Sequence, residues 1–94
     1  DPDGVVPQAF RLDAAYPNPF NPETRFALHV DRPQRVQVAV YDLQGRRVRL
    51  LYDGAMPAGE HRFIFDASAL PSGTYILRAT GATHAASRVV TLLK

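Results

Sequence analysis

A chain of 94 residues with a net charge of +2, 46% hydrophobic residues and no cysteine reads as one small folded domain held by packing alone. A domain of this size buries somewhat over ~60% of its unfolded surface, which leaves little for an enclosed active-site cavity, and the missing thiols exclude disulfides, thiolate metal sites and cysteine redox chemistry. The slight basic excess, almost all arginine with Lys94 the only lysine, shows none of the stripe expected of a nucleic-acid binder, and no run of about 18 apolar residues is present to span a membrane.

The opening "DPDGVVPQ", residues 1–8, reads as a linker, because two prolines and a glycine interrupt any ladder and aspartate favours turns. It starts without methionine and shows no signal-peptide pattern, so the chain reads as a piece or the mature end of something longer. The folded domain is expected over residues 9–94. "AFRLDAAY" alternates weakly and fits a short edge strand. "YPNPFNPE" follows, and each proline pushes Tyr16, Asn18 and Asn21 toward extended geometry and away from helix. Tyr16 and Phe20 are available as apolar pegs for this segment at one end of the fold.

"TRFALHV" puts Phe26, Leu28 and Val30 on one side and Arg25, Ala27 and His29 on the other, the period of a half-buried strand. His29 shares a face with Arg25, which places it toward solvent. "RVQVAVYDL" sets Val36, Val38 and Val40 on one face, and "DLQGR" is a turn or bulge centred on Gly45. "RVRLLYD" is a further strand, with Arg47 and Arg49 expected outward and Val48 and Leu50 inward; "GAMPAG" is a loop. "EHRFIFDA" aligns His61, Phe63 and Phe65, "SALPSG" returns the chain, and "TYILRAT" sets Tyr75, Leu77 and Ala79 on one face. After the turn "GATHA", "SRVVTLLK" closes the chain as a last strand. No window shows a 3.6-residue period. The fold class is therefore all-β, an immunoglobulin-like β-sandwich of about seven antiparallel strands, without the Cys–Trp–Cys signature of antibody domains.

Groups able to do chemistry are scattered. His29, His61 and His84 fall in three separate segments with no metal-ligand spacing, and Ser68, Ser72 and Ser87 lie in no nucleophile elbow. Asp42, Asp53 and Asp66 sit before expected turns, where aspartate caps its own backbone. No catalytic residue, metal or cofactor is assigned, and the domain reads as non-enzymatic. An accessory binding module for polysaccharide or cell envelope is the alternative function, since sandwiches often bind sugars, but tryptophan platforms are missing.

Four pieces in order carry a family resemblance: "YPNPFNPETRFALHV", "VQVAVYDLQGRRVRLLYDG", "AGEHRFIFDASALPSGTYILRAT" and "RVVTLLK". Together, from about Phe10 to Lys94, the chain resembles the type A C-terminal sorting domain of the type IX secretion system. It is also similar to the immunoglobulin-like domain of the flagellar hook-capping protein, but lacks that family's longer glycine-rich insertion before the Ser-Gly-x-Tyr strand. The resemblance implies a non-catalytic secretion label at the end of a larger exported protein of Gram-negative bacteria, with an upstream cargo domain in the same chain. It implies passage through the periplasm and recognition by the outer-membrane translocon. Removal by a sortase-like peptidase, and release or cell-surface attachment of the cargo, would follow.

The family's Pro-Asn-Pro element falls on Pro17, Asn18 and Pro19, and its Tyr-Asp-x-x-Gly-Arg turn on Tyr41, Asp42, Gly45 and Arg46. Its Ser-Gly-x-Tyr element falls on Ser72, Gly73 and Tyr75, and its terminal apolar strand on Val89, Val90, Leu92, Leu93 and Lys94. One departure is Phe65, where the family often has tryptophan; phenylalanine is expected to fill that core slot.

Overall fold

A computed structural model describes residues 10–94, so the linker expected over residues 1–8 and the domain start at Ala9 lie outside the described residues. Seven strands follow in order: β1 (Arg11–Leu12), β2 (Glu23–Val30), β3 (Gln34–Tyr41), β4 (Arg47–Met56), β5 (Gly59–Asp66), β6 (Gly73–Thr80) and β7 (Ala85–Leu92). They form two antiparallel sheets, β1-β2-β5 and β4-β3-β6-β7, and the described residues contain no helix. This is the expected all-β sandwich.

The alternation read from the sequence decides which side chains enter the core. Phe26, Leu28 and Val30 from β2 are buried, and they face Val36, Val38 and Val40 from β3 and Tyr75, Leu77 and Ala79 from β6. Phe63 stacks on Phe26 with ring centroids 5.4 Å apart, and Phe20 packs on Phe65 at 5.6 Å. Phe65 is fully buried, so phenylalanine does occupy that core position. Each fully buried Phe, Leu or Val side chain contributes about 1.5–3 kcal/mol by leaving water. Thr24, the one buried polar residue among the described residues, is satisfied by donating its hydroxyl to the Pro17 carbonyl at 2.7 Å.

Tyr75 adds a mark of immunoglobulin-like sandwiches. It lies near the start of β6 and donates its hydroxyl to the Pro71 carbonyl four residues back, at 2.6 Å. That is the tyrosine corner, which pins the connection between sheets to the strand it enters.

Four local expectations are corrected. The strand after Gly45 does not stop at Asp53. It runs through Met56, the chain resumes pairing at Gly59, and only Pro57 and Ala58 carry it from one sheet to the other. Gly54, Ala55 and Met56 read as loop from composition, yet they pair with Val36, Arg35 and Gln34. Asp53 is thus inside a strand and pairs with Arg35 rather than capping a turn. Leu50 points outward, because two register shifts in the β3–β4 pairing break the period of two. Val48 and Leu51 pack on the core instead, while Arg49 lies over the Phe65 ring, 5.8 Å from its centroid, and donates to the Asp66 carbonyl. His29 is shielded, with only 15% of its side chain exposed, and its Nε2 lies 2.8 Å from an Asp13 carboxylate oxygen.

Strand direction alternates through the sandwich, which separates its connections into two poles. The turns at residues 31–33, 57–58 and 81–84 gather at one pole, with the start of β1. The proline-rich segment, the turns at residues 42–46 and 67–72, and the end of β7 gather at the other. β1 therefore begins at the pole opposite the end of β7.

Candidate functional site

Three of the four sequence elements singled out above meet around the end of β7, and the fourth stands beside them. The proline-rich segment lies along β7's outer edge. Asn18 donates its side-chain Nδ2 to the Val89 carbonyl at 3.0 Å and accepts the Thr91 N–H on Oδ1 at 2.9 Å. Two residues on, the Phe20 N–H donates to the Thr91 carbonyl at 2.9 Å, and the Phe20 carbonyl accepts from the Leu93 N–H at 3.0 Å. The peptide bonds before Pro17, Pro19 and Pro22 are all cis. Phe20 serves as the expected apolar peg, being 2% exposed. Tyr16 does not: it is 81% exposed, because its backbone pairs with Arg25 and turns its ring outward.

On the other side of β7, Gly73 pairs with Leu92 and Tyr75 with Val90. Ser72 accepts the Lys94 N–H on its hydroxyl at 3.0 Å, and the Lys94 ammonium donates to the Ser68 carbonyl at 2.7 Å. The end of the chain is thereby tied to the loop that opens β6. Val90 and Leu92 enter the core, whereas Val89 and Leu93 are 60% and 56% exposed.

The turn between β3 and β4 is built by Asp42. Its Oδ1 accepts the N–H groups of Gln44 and Arg46, and its Oδ2 accepts from the Arg46 guanidinium at 3.0 Å. Gly45 has φ +84°, a left-handed conformation that an L side chain adopts only at a cost, which explains glycine there. The Arg46 N–H is the main reason that the Asp42 carboxyl titrates below its ordinary value, with the Arg46 side chain adding to it. At the end of β5 the Ser68 hydroxyl and N–H do the same for Asp66. In both cases aspartate caps its own backbone, as expected of these two positions.

Two depressions flank this pole. One, of about 330 Å³, lies between the Asp42–Arg46 turn and the Leu70–Tyr75 segment. The other, of about 480 Å³, lies on the outer face of the four-stranded sheet, where Tyr41, Leu43, Ile76 and Val89 form an apolar strip. Tyr41 pairs with Ile76, and Ile76 with Val89, so the strip runs straight across β3, β6 and β7. The exposed Leu43 extends it beyond the end of β3.

The pole is thus rigid and partly apolar, and it is cross-tied by hydrogen bonds spanning more than 70 residues of sequence. His29, His61 and His84 are at or near the opposite pole, each in its own local contact: His29 with Asp13, His61 with the Pro57 carbonyl, and His84 with Thr83. Among the described residues no group of three or more His, Asp or Glu side chains is placed to hold a metal. Sequence reasoning missed Leu43, which reads as part of a turn, and Ile76, whose only signal is an apolar residue on the face opposite Tyr75, Leu77 and Ala79.

The family model described as the secretion system C-terminal sorting domain matches residues 14–91, and the chain belongs to that family. It is therefore a C-terminal sorting signal of the type IX system, which directs proteins to the cell surface or beyond. Neither the curated proteins nor the solved structures give a match.

Proposed function

We propose that the domain is a non-catalytic label whose C-terminal pole is read by the outer-membrane translocon while an upstream cargo domain leaves from the opposite pole. The observation that carries this reading is the convergence of Pro17–Pro19, Ser72–Tyr75 and Val89–Lys94 on one end of the sandwich, with the Tyr41–Arg46 turn beside them. A rigid surface loses little conformational entropy on binding. The exposed Leu43, Val89 and Leu93 supply apolar contact area at the same place.

In this reading Pro17, Asn18, Pro19, Asp42, Gly45, Arg46, Ser72, Gly73 and Tyr75 are positioning residues. They hold the pole in shape, while the outward side chains touch the receptor. The cargo passes through the periplasm, is carried across the outer membrane, and is then freed by a sortase-like peptidase or joined to the surface. Residues 1–8 act as the linker to the cargo, with residues 9–94 as the label. In this reading cleavage falls in or upstream of residues 1–8, while the receptor holds the pole opposite the start of β1.

The test is a fusion of this chain to a reporter carrying an inner-membrane export signal, expressed in a host with the type IX system. Reporter at the surface or in the medium is expected. Intact, folded fusion held in the periplasm would sink the proposal. The same fractions show whether the domain is cleaved from the reporter.

The alternative, a polysaccharide-binding module, has one feature in its favour. Tyr16 stands exposed at the rim of a groove of about 490 Å³ that includes Arg25, Arg62 and Ile64. Retention of the isolated domain on insoluble polysaccharide, lost in Tyr16→Ala, would favour that reading instead.

A further inference from the structure

An open sheet edge templates pairing with another chain, and natural sheets blunt it by shortness, charge, bulges or cover. Three of the four outer strands here use such devices. β1 is two residues long. β4 breaks its register twice and carries Arg47 and Arg49. β5 sets the charged Glu60 and Arg62 outward, and its Asp66 carbonyl is taken by Arg49.

β7 is neither short nor bulged, and its outward face carries no charge. It pairs with β6 from Ala85 to Leu92 without a register shift. Its outward side chains, Ala85, Ser87, Val89 and Thr91, are uncharged. The strand's single charge, Arg88, lies on the other face and donates to the Leu12 carbonyl at 2.8 Å. Its C-terminal run "VVTLL" is apolar or β-branched, with no proline, glycine or charge, the composition of a self-pairing segment.

What β7 has in place of those devices is the proline-rich segment. A neighbouring strand would offer an N–H and a C=O to each outward-facing residue of β7. The Asn18 carboxamide offers that same pair, to the Val89 carbonyl and the Thr91 N–H, and the Phe20 backbone continues with the Thr91 carbonyl and the Leu93 N–H. The prolines on either side of Asn18 have no N–H, so the cap does not itself present a donor row to a further strand.

We infer that Pro17–Phe20 is an intramolecular edge cap covering a self-association site, and that the occupant when the cap is lost is β7 of a second copy of this chain. Antiparallel pairing of β7 with itself sets the uncharged Ala85, Ser87, Val89 and Thr91 against one another on the outward face, with no like charges in opposition there. The cap therefore keeps the domain monomeric, whichever receptor reads it.

Sedimentation velocity over a range of concentrations tests this with three proteins. The natural sequence is expected to sediment as one chain throughout. Asn18→Ala is expected to shift to the mass of two chains as concentration rises. Asn18→Ala combined with Val89→Lys is expected to return to one chain, since a lysine on the exposed edge opposes strand addition. A folded Asn18→Ala that stays monomeric overturns the inference, and so does a dimer that Val89→Lys leaves intact. Should Asn18→Ala lose its β circular dichroism, Asn18→Ser is used, whose hydroxyl is too short to hold both Val89 and Thr91. The same two outcomes then decide.

Discussion

Leu92 and Leu93 are chain neighbours with opposite environments, and the pair gives a sharp test of how the C-terminal strand is seated. Leu92 is fully buried, opposite Gly73 and beside Phe20, while Leu93 is 56% exposed. Truncating a buried leucine to alanine costs about 2–5 kcal/mol, from lost burial and the cavity left behind. An exposed substitution away from such features stays within about 0.5 kcal/mol. The backbone bond from the Leu93 N–H to Phe20 survives in both variants. In a domain of this size each kcal/mol moves the melting temperature by about 4–8 °C, so Leu92→Ala should melt at least about 8 °C lower and Leu93→Ala nearly unchanged. Calorimetry and denaturant titration of the isolated domain read both. Equal losses in the two variants, or a Leu92→Ala loss under about 1 kcal/mol, would refute the seating of β7 argued above.

Three further outcomes follow from the same contacts. Tyr75→Phe keeps the buried ring but leaves the Pro71 carbonyl without its donor, and should cost about 1–2 kcal/mol in denaturant titration; an unchanged midpoint would mean that the corner does not pin this loop. Gly45→Ala meets no neighbouring atom within 4 Å, so its cost is purely that of a side chain at φ +84°. That amounts to about 1–2 kcal/mol, whereas Gly54→Ala, with ordinary backbone, should cost less; the reverse order would argue against the left-handed turn. Asp13, Asp42 and Asp66 titrate below the ordinary carboxyl value, held there chiefly by the His29 hydrogen bond, the Arg46 N–H and the Ser68 hydroxyl respectively. Their stabilisation is fully present above the unfolded carboxyl pKa of about 3.9 and is lost as pH falls through the lower folded values. Stability measured from about pH 6 down to pH 2 should fall, and Asp42→Asn should flatten that fall; an equally steep fall in the variant would count against the Asp42 contribution.

Strand faces were legible wherever one face is buried and pairing is regular. Phe26, Leu28 and Val30, like Tyr75, Leu77 and Ala79, alternate because a shift by one residue would turn the whole set to water. β4 was misread at Leu50 because bulges insert residues that have no partner, and nothing in "RVRLLYD" marks them. The loop read over "GAMPAG" shrinks to Pro57 and Ala58, because an outer strand tolerates a glycine such as Gly54 near its end.

The site was legible in part. The Asp42–Gly45 turn announces itself through its own short-range bonds. The role of Asn18 does not, since its partners Val89 and Thr91 lie 71 and 73 residues away and no local pattern encodes that distance. Tyr16 and Phe20 looked equivalent as pegs, and only the backbone pairing of Tyr16 with Arg25 separates them.

The central claim is that the C-terminal pole carries the recognition surface. It is tested most directly by fractionating cells that express the reporter fusion with one outward side chain changed to glutamate at either pole. Leu43→Glu and Leu93→Glu alter exposed apolar side chains at the C-terminal pole, and Arg32→Glu alters an exposed side chain at the other. With folding verified for each isolated domain, the first two fusions should accumulate in the periplasm while the third reaches the surface or medium. Normal export of folded Leu43→Glu and Leu93→Glu fusions would contradict the account.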